Sequence, residues 1–170
     1  SDWFRASFCN AVRIGRRLYM DNQAEPLTPG TPGAVQEACS WRASVTNLRV
    51  VEAGDTVGYD AAWTAPRRTR VATVCVGYGD VLYYPLAEAG GPLLVGEQKA
   101  RLLATCMDQC FVDVTDIPCR AGDEVTFFGQ SSGGAAMPIQ ELGKFMHVEG
   151  VYFYSFLSPR VARVYEGLEP

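Results

Sequence analysis

From Ala38 onward the pattern of apolar and polar positions is that of strands. "CSWRASVTNLRVV" (Cys39 to Val51) and "TRVATVCVGY" (Thr69 to Tyr78) carry β-branched runs with partial two-residue alternation. "GPLLVGEQKARLLATC" holds two such runs on either side of Gly96-Glu97, which predicts a hairpin with a short turn. "CFVDVTDI" and "DEVTFFG" add two more. The period changes once. "MPIQELGKFMHV" places Ile139, Leu142, Phe145 and Met146 on one side of a helix, with Pro138 suited to the first turn and Gly143 a weak point. The last stretch, "VYFYSFLSPRVARVYEG", is aromatic and β-branched and is broken at Ser158-Pro159. The sum is a mainly β fold of about eight strands with one short helix. A closed or nearly closed β-barrel is the economical way to hide so many edges.

One phrase occurs twice. "EAGDTVGY" (Glu52 to Tyr59) and "RAGDEVTF" (Arg120 to Phe127) both open a strand with the turn formers Gly and Asp. In the second copy the aromatic position is Phe127, an ordinary core residue. In the first it is Tyr59, whose hydroxyl must be hydrogen-bonded, exposed or used for chemistry.

The ends of the pattern set the domain organisation. Residues 1–20, with "FCNAVRIGRRLYM", mix apolar residues with arginines and read as the remnant of another element. They lack the long apolar core and the cleavage site of a signal peptide. Residues 21–37 are rich in Pro and Gly and read as a linker. Residues 38–170 form the β-domain.

Composition narrows the function. An apolar fraction of 48% is enough for a packed core, and 170 residues fit one domain with an appended fragment. A net charge of -4 with interspersed signs argues against a nucleic-acid surface, and against a translation-factor-like barrel on RNA. No run of about 18 apolar residues occurs, so no membrane segment is expected. The six cysteines form no C-x-x-C, and His147 is the sole histidine, so a metal site is not expected. Cys75 and Cys106 lie in apolar runs. A reduced, cytoplasmic setting is the simplest reading, with disulfides left open by the even count.

Four places depart from plain core chemistry: Tyr59 in "VGYDA", Tyr78 in "VGYGD", Met107-Asp108 in "CMDQ", and Arg160 with Arg163 in "SPRVARVY". Each alone reads as structure: a half-buried tyrosine with its hydroxyl at a rim, packing followed by a turn, a solvated strand face. In order, and with their flanks, they resemble the carboxy-terminal domain of alanine racemase, a fold-type III pyridoxal phosphate enzyme. "NAVRIGRRLYM" is similar to the family's "VRxGxxxYG", and "LRVVEAGDTVGYDAAW" to its "pGxxVgYgaty". "VATVCVGYGD" resembles "vgYaDG", and "LLATCMDQCFVDVTD" resembles "vGrvsMDqlmvDvtd". "AGDEVTFFG" matches "vGDeVvllG", and "LSPRVARVY" matches "lspRVpRvy".

The resemblance implies the following. Tyr59 falls on the catalytic tyrosine that exchanges the Cα proton on one face of the substrate. Racemisation needs two bases on opposite faces, with pyridoxal phosphate as electron sink. Tyr78 falls on a tyrosine that narrows the substrate entrance. Met107 falls on the residue whose backbone N–H meets the substrate carboxylate, and Asp108 follows it. The domain reaches into the partner subunit's site, so the whole protein is expected as a homodimer. It would interconvert L- and D-alanine, with D-alanine supplied to peptidoglycan. A serine racemase of the vancomycin-resistance type, or a non-catalytic β-barrel that dimerises or binds a partner, are the alternatives.

Departures bear on the cofactor. The family's lysine motif "vvKAnAYGhG" has no counterpart. Lys99 and Lys144 are the only lysines, and neither has that context. Pyridoxal phosphate is therefore expected in the full-length enzyme and not in this chain, which alone should be inactive. The family's "tiNYEil" tyrosine, a cofactor-phosphate contact, falls on Val151, with Tyr152 one place later.

Overall fold

The computed structural model describes residues 39–80, 84–150 and 152–166. The expectations placed on residues 1–37 and on Val151 lie outside the described residues.

Strand β1 (Trp41–Val51) is followed by the two-residue strands β2 (Thr56–Val57) and β3 (Trp63–Thr64), which pair with each other. Then come β4 (Thr69–Val74), helix α1 (Tyr84–Glu88), β5 (Pro92–Val95) and β6 (Gln98–Thr105). Strands β7 (Cys110–Asp113), β8 (Glu124–Gln130) and β9 (Ala136–Met137) precede helices α2 (Ile139–Met146) and α3 (Tyr152–Phe156).

Six strands form an antiparallel ring in the order β1-β4-β7-β6-β5-β8, and β9 adds to β8 outside it. Strand β1 joins the ends. Its first residues pair with β8 (Trp41 opposite Phe128, Ser44 opposite Glu124), and the rest pair with β4 (Val45 opposite Val74 to Val51 opposite Thr69). The closure leaves no free edge on the main ring. The predicted hairpin is present: Val95 faces Gln98 across Gly96-Glu97.

The incomplete alternation of the sequence has a structural cause. Ala72, Val112 and Leu102 lie opposite one another across three strands and are buried. The neighbouring face of the same strands is buried too. There Val51, Val57, Ala65, Val71, Leu103, Ala104, Cys106 and Phe111 form a second core with Trp63 packed against it, roofed by the β2–β3 ribbon. Strands covered on both faces lose the clean polar–apolar period. A register shift between Leu102 and Ala104 adds one residue to β6, and Leu103 and Ala104 both join this cluster.

The repeated phrase is one turn used twice. Gly54 and Gly122 both have φ of 92°, a backbone region costly for residues with a Cβ. Asp55 Oδ2 accepts the Glu52 N–H at 2.8 Å, and Asp123 Oδ2 accepts the Arg120 N–H at 2.9 Å. The copies diverge afterwards: Phe127 is fully buried in β8, whereas the chain leaves β2 at Gly58.

The end of the chain differs from its reading as an extended, strand-like segment. Tyr152 to Phe156 are helical, and no strand occurs among the described residues after β9. Phe153 is buried, and Tyr154 meets the edge of Phe128 at 5.7 Å between centroids. Burial of Phe153 and the contact of Tyr154 with Phe128 of β8 outweigh their β propensity.

Candidate active site

Both Val-Gly-Tyr sequences leave the core and end in short 3₁₀-like turns, Tyr59–Ala61 and Tyr78–Asp80. The expected strand tyrosines are thus turn tyrosines, presented at the surface rather than along a barrel wall.

The Tyr59 turn caps the β2–β3 ribbon. Ala62 N–H donates to the Tyr59 carbonyl at 2.9 Å, and Asp60 and Ala61 have φ of 53° and 55°. Two successive left-handed residues are the signature of a type I′ hairpin turn, which favours Asn-Gly. Asp tolerates this region, but alanine does not gain from it. Ala61→Gly is expected to raise stability by about 0.5–1 kcal/mol, since strain relief exceeds the added freedom of the unfolded chain. The urea midpoint is the check. A lower midpoint would show that packing of the Ala61 methyl outweighs the strain.

The Tyr78 turn rests on the β6–β7 hairpin. Cys106 N–H donates to the Gln109 carbonyl at 2.7 Å, which puts Met107 and Asp108 at the hairpin tip. Tyr78 N–H donates to the Cys106 carbonyl at 3.0 Å and Gly79 N–H to the Met107 carbonyl at 2.8 Å. Gly77 makes this approach feasible: a Cβ there would lie 2.3 Å from the Cys106 carbonyl oxygen. Asp80 Oδ2 accepts the Gly77 N–H at 3.1 Å and closes the turn.

Of the residues singled out in the sequence, Tyr59, Tyr78, Met107 and Asp108 come together at this end of the ring. Tyr59, Tyr78 and Met107 are exposed by 53%, 40% and 52%, and Asp108 is exposed beside them. Gly58 ties the Tyr59 turn to β6, since a Cβ on it would lie 2.8 Å from the Ala104 Cβ. The electrostatics show the same proximity. The pKa of Tyr59 is raised above that of an ordinary tyrosine by Cys106, then by partial desolvation, then by Tyr78 and Asp108. These neighbours oppose a phenolate. Sequence reasoning took Cys106 as a residue of an apolar run, which its burial bears out, and passed over its place beside Met107. It passed over Asp80 as well. A carboxylate two places after Tyr78 carries no local sign that it folds back onto Gly77.

The lysines are elsewhere. Lys144 on α2 is exposed and paired with Glu141 at 2.9 Å, a bond that holds the Glu141 carboxyl below its usual range. Lys99 also acts on Glu141. It lies at the opposite end of β6 from Met107, roughly 25 Å away at strand rise. Neither lysine is among the groups that act on Tyr59. The described residues contain no cluster suited to a metal ion, and no helix among them is long and apolar enough to cross a membrane. Cys75, Cys106, Cys110 and Cys119 are free thiols, and burial pushes that of Cys110 well up.

A closed β-ring with two turn tyrosines and a hairpin tip at one end defines a β-domain with an exposed polar–aromatic rim. Residues 38–165 match the family described as alanine racemase, C-terminal domain, and the chain belongs to that family. It is 32% identical over 166 residues to the alanine racemase of Desulforamulus reducens, covering 96% of this chain and 43% of that protein. The crystal structure of the biosynthetic alanine racemase from Pseudomonas aeruginosa superposes with a TM-score of 0.70 at 36% identity, over 78% of this chain and 36% of that one. The alanine racemase of Bartonella henselae, solved with covalently bound pyridoxal phosphate, shares the fold with a TM-score of 0.70 at 24% identity, over 80% of this chain and 37% of that one. The chain thus spans about two fifths of the length of these relatives.

Proposed function

We propose that this chain is the carboxy-terminal β-domain of an alanine racemase, and that it supplies Tyr59 as a proton-transfer residue to a site completed by the rest of the protein. The observation that carries the reading is the shared rim: Tyr59, Tyr78 and the Met107-Asp108 tip stand together and exposed, although 48 positions separate the first from the third-named. Large residues left in water at one end of a packed domain suit a surface that another body covers.

The roles are those that the family resemblance implies. Tyr59 Oη gives or takes the Cα proton of alanine on one face. The tyrosine sits on the turn of the β2–β3 ribbon, half exposed at the rim. Its own neighbours raise its pKa, and use as a base near neutral pH would call for a nearby cation to lower it. The backbone N–H of Met107 would meet the substrate carboxylate, with Asp108 beside it, and Tyr78 would narrow access. Pyridoxal phosphate, held by the remainder of the protein, would supply the electron sink. The activity would provide D-alanine for peptidoglycan, in a homodimer whose domains act across the subunit boundary.

Subunit mixing tests the reading. Tyr59→Phe subunits and subunits lacking the cofactor lysine are each expected to be nearly inactive. Mixed dimers are expected to recover activity at one of their two sites, because that site then holds both bases. No recovery in heterodimers shown to form would mean that Tyr59 does not act across the boundary.

A further inference from the structure

The two arginines of "SPRVARVY" are not on a solvated strand face. Arg163 donates to the carbonyls of Leu157 at 2.8 Å, Ser158 at 2.7 Å and Val161 at 2.6 Å, and so folds the tail behind α3 into a compact turn. Arg160 N–H donates to Ser158 Oγ at 3.2 Å within the same turn. This brings the Arg160 guanidinium across the Tyr78 turn. Its Nε lies 3.4 Å from Asp80 Oδ1, and a Cβ on Gly79 would lie 3.2 Å from its Nη1.

Asp80 is the one buried carboxylate among the described residues, with its side chain 11% exposed. One oxygen takes the Gly77 N–H and the other faces Arg160. A carboxylate withdrawn from water needs both partners, and loss of the cation leaves it uncompensated. The turn that it closes donates N–H groups to the carbonyls of Cys106 and Met107. A continuous path of contacts thus runs from Arg160 through Asp80 and the Tyr78 turn to the peptide of Met107.

We propose that Arg160 and Asp80 are positioning residues that clamp the Tyr78 turn onto the Met107 tip, and so set the affinity for the carboxylate of the amino-acid substrate. The affinity effect rests on the function proposed above; the clamp itself rests on the geometry of this chain. Neither residue needs to touch substrate. The Met107 amide is the reporting group, because the Tyr78 N–H holds the Cys106 carbonyl at the other end of the same peptide.

The test uses the whole protein that carries this domain, with Arg160→Ala, Asp80→Asn, Arg160→Lys and the Arg160→Ala/Asp80→Asn double variant. Arg160→Ala is expected to raise the KM for alanine about fivefold with kcat little changed, the scale of one partly exposed ion pair. Arg160→Lys should recover part of the loss. The double variant should be no worse than the worse single one, since both act on one contact. Hydrogen exchange at the amides of Tyr78 and Gly79 should quicken in Arg160→Ala. A lower melting temperature with unchanged KM and unchanged exchange at these two amides would overturn the proposal, as would additive single effects. If the unsubstituted protein racemises no amino acid, the functional reading falls and the affinity effect with it. Exchange at Tyr78 and Gly79 then decides on the clamp alone.

Discussion

Tyr59→Phe in the whole protein is expected to slow solvent exchange of the Cα proton by about 10²–10⁴-fold for the alanine enantiomer whose proton faces this residue, and far less for its mirror image. The ring is half exposed at the tip of a ribbon, and the change removes one oxygen while leaving the buried core untouched. Fold and melting temperature should therefore stay as they are. Racemisation itself must slow equally in both directions, since the equilibrium between mirror images is symmetric. The asymmetry is visible only in deuterium uptake without inversion, measured separately from L- and D-alanine. Equal loss of uptake from both enantiomers would remove Tyr59 from the role of a one-face base.

Gly77→Ala is the second large effect. The added methyl would sit 2.3 Å from the Cys106 carbonyl oxygen and 2.4 Å from the Met107 carbonyl carbon and oxygen. All three are backbone atoms, so no side-chain rotation relieves the clash. The expected cost is about 1–3 kcal/mol of stability. In the whole protein, KM should rise by about tenfold or more as the Tyr78 and Gly79 N–H groups lose their carbonyl partners. Thermal melting and steady-state kinetics measure the two separately. If neither changes, the turn and the hairpin tip are not in contact in the assembled protein.

The sequence disclosed the elements whose chemistry is local. The Gly96-Glu97 turn lies between two β-branched runs and emerged at the expected register. The helix at Ile139–Met146 is present, with Ile139 and Leu142 buried as the spacing predicts and Phe145 exposed. Where the structure departs, non-local packing decides. "YFYSF" has strand composition, yet it forms a five-residue helix in which Phe153 is buried and Tyr154 meets the edge of Phe128. Five residues are too few for a periodicity to speak. Helix α1 is equally short and was equally silent.

The candidate site was legible through its ordered motifs, and their resemblance supplied the roles. Periodicity alone left Tyr59 and Tyr78 as rim residues. It suggested strands where the chain has left-handed or 3₁₀-like turns, because "VGY" continues a β-branched run and conceals the point where Gly58 turns out of β2. The pairing of Asp80 with Arg160 joins residues 80 positions apart in sequence and has no signature in either neighbourhood.

The way β1 closes the ring has a consequence for biogenesis. Arg42 Nε donates to the Gln130 carbonyl at 2.8 Å across 88 positions, and Trp41 stacks at 4.6 Å on Phe127. Pairings of such long sequence separation carry a high loop-closure cost and form slowly. At about 5–20 residues per second, a ribosome takes roughly 4–18 s to travel from β1 to β8. Throughout that interval the amino-terminal half of β1 has no strand to accept it, and Trp41 has no aromatic partner. The nascent chain therefore carries an unpaired, partly apolar strand for seconds, and recognition of that segment by a chaperone would protect the domain at its most aggregation-prone stage.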